Sequence, residues 1–219
     1  MTMLNRLLKI IFFLLIVRPL VLVVLGMNIV NRRNLPRRGP AVIAANHNSH
    51  LDAVVLMSLL PLRSLHKVRP VAAADYFLKS RLLAWFSLNI IGIVPVERGN
   101  CRNPEKYFSE CHHLLDDGCI LIIFPEGSRG EPEAMGRLKK GLFYLVKDRK
   151  ELPVIPVVMH GLGMALPRGE ALLVPFNCDV VVGDKLEIPD DSRNFLDQLG
   201  KVYGKLSGLC LTGFGKEYE

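Results

Sequence analysis

The run Cys119 to Phe124, CILIIF, constrains the fold more than any other stretch. Its apolar residues are too few for a buried helix. They also lack the polar alternation of a strand with one wet face, so the run reads as a strand covered on both sides. Doubly covered strands belong to parallel sheets with helices packed above and below. Comparable runs recur at 41–45 (AVIAA), 68–74 (VRPVAAA), 90–96 (IIGIVPV), 154–158 (VIPVV), 171–176 and 178–183. Helical patterns fall between them at 51–60, 104–116, 138–148 and 192–206. The clearest is 104–116: Asn103 can cap it, Pro104 suits the first turn, and Tyr107, Phe108, Cys111, Leu114 and Leu115 make one stripe before Gly118. The expectation is an α/β domain with a mostly parallel central sheet flanked by helices.

A second feature stands apart from that alternation. Leu7 to Val30 reads LLKIIFFLLIVRPLVLVVLGMNIV, longer than the roughly 20 residues that cross a bilayer. Arg18-Pro19 interrupts it. An arginine at the bilayer centre costs about 2.5–3.5 kcal/mol on insertion scales, and proline breaks or kinks a helix. Basic residues flank both ends: Arg6 and Lys9 before, Arg32, Arg33, Arg37 and Arg38 after. Flanks that both prefer the cytoplasm predict a segment that dips in and returns, or lies in the interface, rather than one that spans. Residues 1–34 are therefore expected to be a membrane-associated helical anchor, a two-helix monotopic motif. A kinked single span is the alternative. Residues 35–219 are expected to form the α/β domain.

Charge supports a lipid surface as neighbour. Residues 1–70 hold ten Lys and Arg against one acid, Asp52, whereas 71–219 hold eighteen bases against twenty acids. Half the residues are hydrophobic, and the mean hydropathy of +0.26 is high for a wholly soluble domain. A basic front end beside an apolar segment suits anionic lipid, and no nucleic-acid-reading motif accompanies it. The five cysteines have no CxxC spacing and read as scattered thiols in a reducing compartment, not as a disulfide frame or metal site.

Polar clusters follow four of the candidate strands, where ligands bind in open α/β sheets. Asn46, His47, Ser49 and Asp52 follow 41–45. Glu97, Arg98 and Gly99 follow 90–96. Glu126, Gly127, Ser128 and Arg129 follow 119–124, and His160 and Gly161 follow 154–158. Parallel strands would gather these clusters along one edge. His47 and Asp52 lie five positions apart, about 500° on a regular helix. They can meet only if His47 precedes the helix that Asp52 begins. A carboxylate on one imidazole nitrogen fixes the tautomer and makes the other more basic, which suits the pair to deprotonating a hydroxyl. Ser49-x-x-Asp52 equally fits a helix-capping pattern. Arg98 and Arg129 sit in glycine-containing loops suited to a phosphate, although a lone arginine is more often an ordinary surface residue. Glu126-Gly127-Ser128 lacks the first glycine of a serine-hydrolase elbow.

Four blocks give these residues a family likeness. They are Asn46-His47-Asn48-Ser49-His50-Leu51-Asp52 (N-H-x-S-x-x-D), Gly92 to Arg98 (G-x5-R), Phe124-Pro125-Glu126-Gly127-Ser128-Arg129 (F-P-E-G-[ST]-R), and Ile155-Pro156-Val157 (V/I-P-V). In order and spacing, over residues 40–160, the chain resembles the glycerolipid acyltransferases of the 1-acylglycerol-3-phosphate type. That resemblance implies acyl transfer from a thioester, acyl-CoA or acyl-acyl carrier protein, to the hydroxyl of a lysophosphatidate-type acceptor. It implies His47 as general base, Asp52 orienting it, and Arg98, Glu126, Gly127, Ser128 and Arg129 holding the acceptor. Neither metal nor prosthetic group is implied. The expected location is the cytoplasmic face of the inner membrane. Other readings are a different acceptor, such as glycerol 3-phosphate or another lysophospholipid, and a non-catalytic membrane lipid-binding protein.

Overall fold

The structure, a computed structural model, describes residues 2–77, 80–97, 104–128, 134–165 and 177–212. Its frame is a seven-stranded sheet: β1 (Gly26–Val30), β2 (Ala41–Ala45), β3 (Val68–Ala73), β4 (Val94–Val96), β5 (Ile120–Ile123), β6 (Val154–His160) and β7 (Asn177–Val182). The order is β1-β7-β6-β2-β5-β3-β4. Strands β4, β3, β5, β2 and β6 are parallel, β7 is antiparallel to β6, and β1 runs parallel to β7. Strands β2, β5 and β6 are buried along their whole length, as the apolar run at 120–123 requires.

Successive strand residues feed two cores. Ile43, Ile120, Ile122, Val157 and Val180 face one, and Val42, Ala44, Leu121, Val154 and Val181 face the other. The first is covered by α1 (Met3–Phe12) and α2 (Asp52–Leu59), the second by α6 (Ser109–Asp116), α7 (Gly141–Val146) and α9 (Ser192–Ser207). The short helices α3 (Ala74–Phe77), α4 (Arg81–Phe86), α5 (Pro104–Tyr107) and α8 (Leu162–Ala165) occupy the connections. In α9, Phe195, Leu199, Tyr203 and Leu206 form the inward stripe, and the Asp191 carboxylate caps the start by accepting from the Asn194 amide at 2.8 Å.

Three differences from the sequence reading have local causes. First, residues 3–24 do not fold as two helices. Arg18 and Pro19 keep right-handed helical dihedrals, so α1 continues through wider π turns at Phe13–Val17 and Leu20–Val24. Lys9, Phe13, Val17, Val21 and Leu25 are all buried. A row spaced by four drifts about 40° per step on a regular α-helix; the π turns absorb that drift and keep the row on the core. Leu14, Leu15, Ile16, Leu22 and Val23 face outward. No helix among the described residues is long and apolar enough to cross a membrane. Second, where a returning helix was expected, the chain leaves the π turn at Leu25 and enters the sheet edge as β1. Third, only Val94–Val96 of the expected 90–96 strand is extended; Ser87–Ile91 is a π turn closed by Gly92. The expected strand at 171–176 lies outside the described residues, as do Asn103 and Cys101. The described cysteines are buried and unbridged.

Candidate active site

The site grows from the carboxyl ends of the adjacent strands β2 and β5. Where β2 ends, the Asn46 amide donates to the Val157 carbonyl at 3.3 Å and its side chain extends the pairing by one more rung. Its Nδ2 donates to the Met159 carbonyl at 2.8 Å, and its Oδ1 accepts from the Met159 amide at 2.7 Å. Asn48 Nδ2 donates to the same carbonyl at 2.9 Å. These bonds pin the turn 46–51 against β6 and let His47 project between them.

Asp52 opens α2 and is fully buried. Its Oδ2 lies 2.9 Å from His47 Nδ1 and accepts from the amides of Asn48 at 2.7 Å and Ser49 at 2.9 Å. The two readings of this residue are thus one arrangement: the carboxylate that closes the turn before the helix also fixes the imidazole. With Nδ1 held, Nε2 is the ring nitrogen that can take a proton. The His47 ring, about one-fifth exposed at 21%, stacks on Phe124 with centroids 4.1 Å apart and planes 20° apart.

The loop after β5 completes the wall. Glu126 is buried, and each of its oxygens accepts one backbone amide, Oε1 from His47 and Oε2 from Gly136, both at 2.9 Å. Burial pushes its carboxyl above the usual range, opposed by those two amides. Gly127 has φ +70°, and a Cβ there would lie 2.9 Å from Lys139 Nζ. The left-handed turn favours glycine, and a side chain there would push the lysine away. Gly136 is similarly constrained, because a Cβ would meet Glu126 Oε2 at 2.6 Å.

His47 opens on a cavity of about 440 Å³. Gly127, Ser128, Lys139 and Tyr144 give it a polar wall, and Ala72, Ile93, Val96 and Phe108 an apolar one. His47, Asp52, Glu126, Gly127 and Ser128 therefore come together as the sequence placed them. Arg98 and Arg129 lie outside the described residues. His50 is exposed and lines the cavity. His160 does not line it: its Nδ1 lies 2.7 Å from Thr212 Oγ1, which donates to Asp179 and so ties Thr212 to β7. Lys139 and Lys140, both lining the cavity, escaped the sequence reading because a basic pair ahead of a helix resembles a solvated face. A signal was present: they stand at the start of α7, the helix end that disfavours cations.

A carboxylate-held imidazole thus stands at the carboxyl ends of parallel strands, beside a cavity with lysines on one side and apolar residues on the other. The family described as Acyltransferase matches residues 26–160, and the chain belongs to that family. Among relatives, the 1-acyl-sn-glycerol-3-phosphate acyltransferase LPAT1, chloroplastic, of Arabidopsis thaliana is 31% identical over 157 residues, 71% of this chain and 42% of that protein. The corresponding protein of Chlamydomonas reinhardtii is 33% identical over 159 residues, 70% and 45%. The chain thus spans a little under half the length of these relatives. The crystal structure of PlsC, the 1-acyl-sn-glycerophosphate acyltransferase of Thermotoga maritima, shares the fold with a TM-score of 0.70 at 16% identity, covering 94% of this chain and 80% of that one.

Proposed function

We propose that the protein transfers a fatty acyl group from a thioester to the hydroxyl of lysophosphatidate, giving phosphatidate. The observation that carries this reading is the 2.9 Å contact between His47 Nδ1 and a fully buried Asp52, facing a cavity with lysine on one side and apolar residues on the other. Membership of the acyltransferase family and the names borne by its relatives support the same substrate class.

In the proposed reaction, His47 Nε2 takes the proton as the acceptor oxygen attacks the thioester carbon. The C–O bond forms, the C–S bond breaks, and the proton passes to the departing thiolate. Asp52 stabilises the imidazolium formed in between, without itself being protonated. General-base assistance of this kind contributes about 10²–10⁴ in rate. Lys139 meets the acceptor phosphate, with Arg98 and Arg129 as further phosphate ligands, and the apolar wall takes acyl chain. Glu126 positions the two loops through the amides of His47 and Gly136. The outward apolar side of residues 14–23 rests in one leaflet, at the cytoplasmic face of the inner membrane, where a lysolipid is reached without leaving the bilayer. Both acyl-CoA and acyl-acyl carrier protein fit this scheme as donors.

The test is thiol release by purified protein supplied with acyl thioester and a panel of acceptors: lysophosphatidate, glycerol 3-phosphate and other lysophospholipids. Lysophosphatidate should support turnover best, and His47→Ala should abolish it while the fold persists. A His47→Ala protein that still turns over near normally overturns the mechanism; preference for another acceptor overturns the substrate.

A further inference from the structure

At the opposite edge of the sheet from His47, a second cavity of about 460 Å³ lies under the end of α2, lined by Arg18, Arg32, Arg33, Arg37 and Arg63. Two of these arginines are held in place. Arg18 donates to the Leu60 carbonyl at 2.9 Å and Arg32 to the Leu59 carbonyl at 3.1 Å, so both cap the helix end. That capping answers only a small part of the charge. A helix C-terminus carries about half a negative charge, against five guanidiniums. None of the five forms an ion pair with a described carboxylate. Asp184, beside the neighbouring Asn34, accepts from that residue's amide, and Asp52 is committed to His47 at the far end of α2. Burial and the nearby Arg32 charge both lower the proton affinity of Arg18, as expected for like charges gathered without a counter-ion.

The surroundings say which anion fits. Arg18 sits on the helical run between outward-facing Leu14, Leu15 and Ile16 on one side and Leu22 and Val23 on the other. A phosphate seated at Arg18 would therefore have apolar side chains along the same helix for any hydrocarbon it carried. Guanidinium clusters bind phosphate through bidentate forks, and the cavity falls within the 300–1,000 Å³ of small-ligand sites.

We propose that this pocket is a non-catalytic site for the phosphate of an anionic membrane lipid, gripping one headgroup while the outward face of residues 14–23 contacts the acyl region. The site is distinct from the His47 cavity and does not depend on the reaction assigned there.

Binding is measured by calorimetry with the full chain, using a soluble short-chain phosphatidylglycerol, inorganic phosphate and a short-chain phosphatidylcholine. The key variant is Arg37→Gln/Arg63→Gln, because neither side chain caps α2. The control, Lys201→Gln/Lys205→Gln, removes equal charge from exposed positions on α9. At about fivefold per arginine, the arginine variant should bind phosphatidylglycerol roughly 30-fold more weakly, with the lysine control and the unfolding temperature unchanged. Saturable phosphatidylglycerol binding lost only in the arginine variant supports the site. Equal loss in both variants reduces it to diffuse surface charge and overturns the proposal. Inorganic phosphate binding as tightly as the lipid also overturns it, as a soluble-anion site, and equal affinity for phosphatidylcholine shows that the anion is not read at all.

Discussion

Glu126→Gln separates two roles for the same residue. The family resemblance implies that Glu126 holds the acceptor, whereas the structure has its two oxygens accepting the amides of His47 and Gly136 at 2.9 Å each. Glutamine is nearly isosteric but has one oxygen, so one of the two amides must face an NH2 group and lose its acceptor. A hydrogen bond to a charged group contributes about 1.5–3 kcal/mol. Part of that is returned because glutamine removes a charge whose burial is unfavourable, as the raised carboxyl affinity shows. A net destabilisation of about 1–2 kcal/mol remains, or roughly 2–8 °C in Tm for a chain of this size. If the His47 amide is the one released, the imidazole shifts and kcat falls. If the Gly136 amide is released, the loop carrying Lys139 loosens and acceptor KM rises as well. Thermal unfolding and steady-state thiol release, run on the same preparations, read both effects. An unchanged Tm with only a raised acceptor KM would refute the positioning role and return Glu126 to substrate binding.

Asp52→Asn should lower kcat by about 10²–10⁴ with little change in donor KM, because the amide can no longer hold the imidazolium; steady-state kinetics check it. Lys139→Ala should raise the KM for lysophosphatidate more than it lowers kcat, measured against an uncharged acceptor analogue. Leu199→Ala, in the core beneath α9, should cost about 2–5 kcal/mol in denaturant unfolding. Lys9 gives a pH signature. It is buried, donates to the Val68 and Ile91 carbonyls, and its ammonium is pulled down to about 7, mainly by burial and then by Arg69. Between pH 7 and 10.5 the unfolded chain binds more protons at this site than the folded one. Stability from this group should therefore rise with pH across that window and be lost as pH falls through 7, at up to about 1.4 kcal/mol per pH unit. Lys9→Met should flatten the slope, and equal slopes in urea titrations of the two proteins would count against a buried lysine.

What could be read in advance followed from burial on both faces. Strands β2, β5 and β6 announce themselves as unbroken apolar runs, and α6 and α9 as stripes. The meeting of His47 with Asp52 was legible because the two residues share one strand-to-helix turn. Three things were not. Strand β1 sits in a run whose hydropathy matches an anchor as well as an edge strand. Ile90 and Ile91, which end a π turn, are as apolar as the strand that follows, so they passed for its start. Glu126's partners are backbone amides, one of them ten residues away in a loop with no motif, and backbone amides leave no mark in a sequence.

The way residues 13–30 are threaded has a practical consequence. Phe13, Val17, Val21 and Leu25 fill the same core as the central strands, and the chain then pairs directly with β7. Trimming the first 30 residues to obtain a more tractable fragment would remove a wall of the interior and uncover the β7 edge, a template for strand-to-strand aggregation. The whole chain is the better starting material, and outward-facing Leu15, Leu22 and Val23 are the positions to make polar where less exposed apolar surface is wanted.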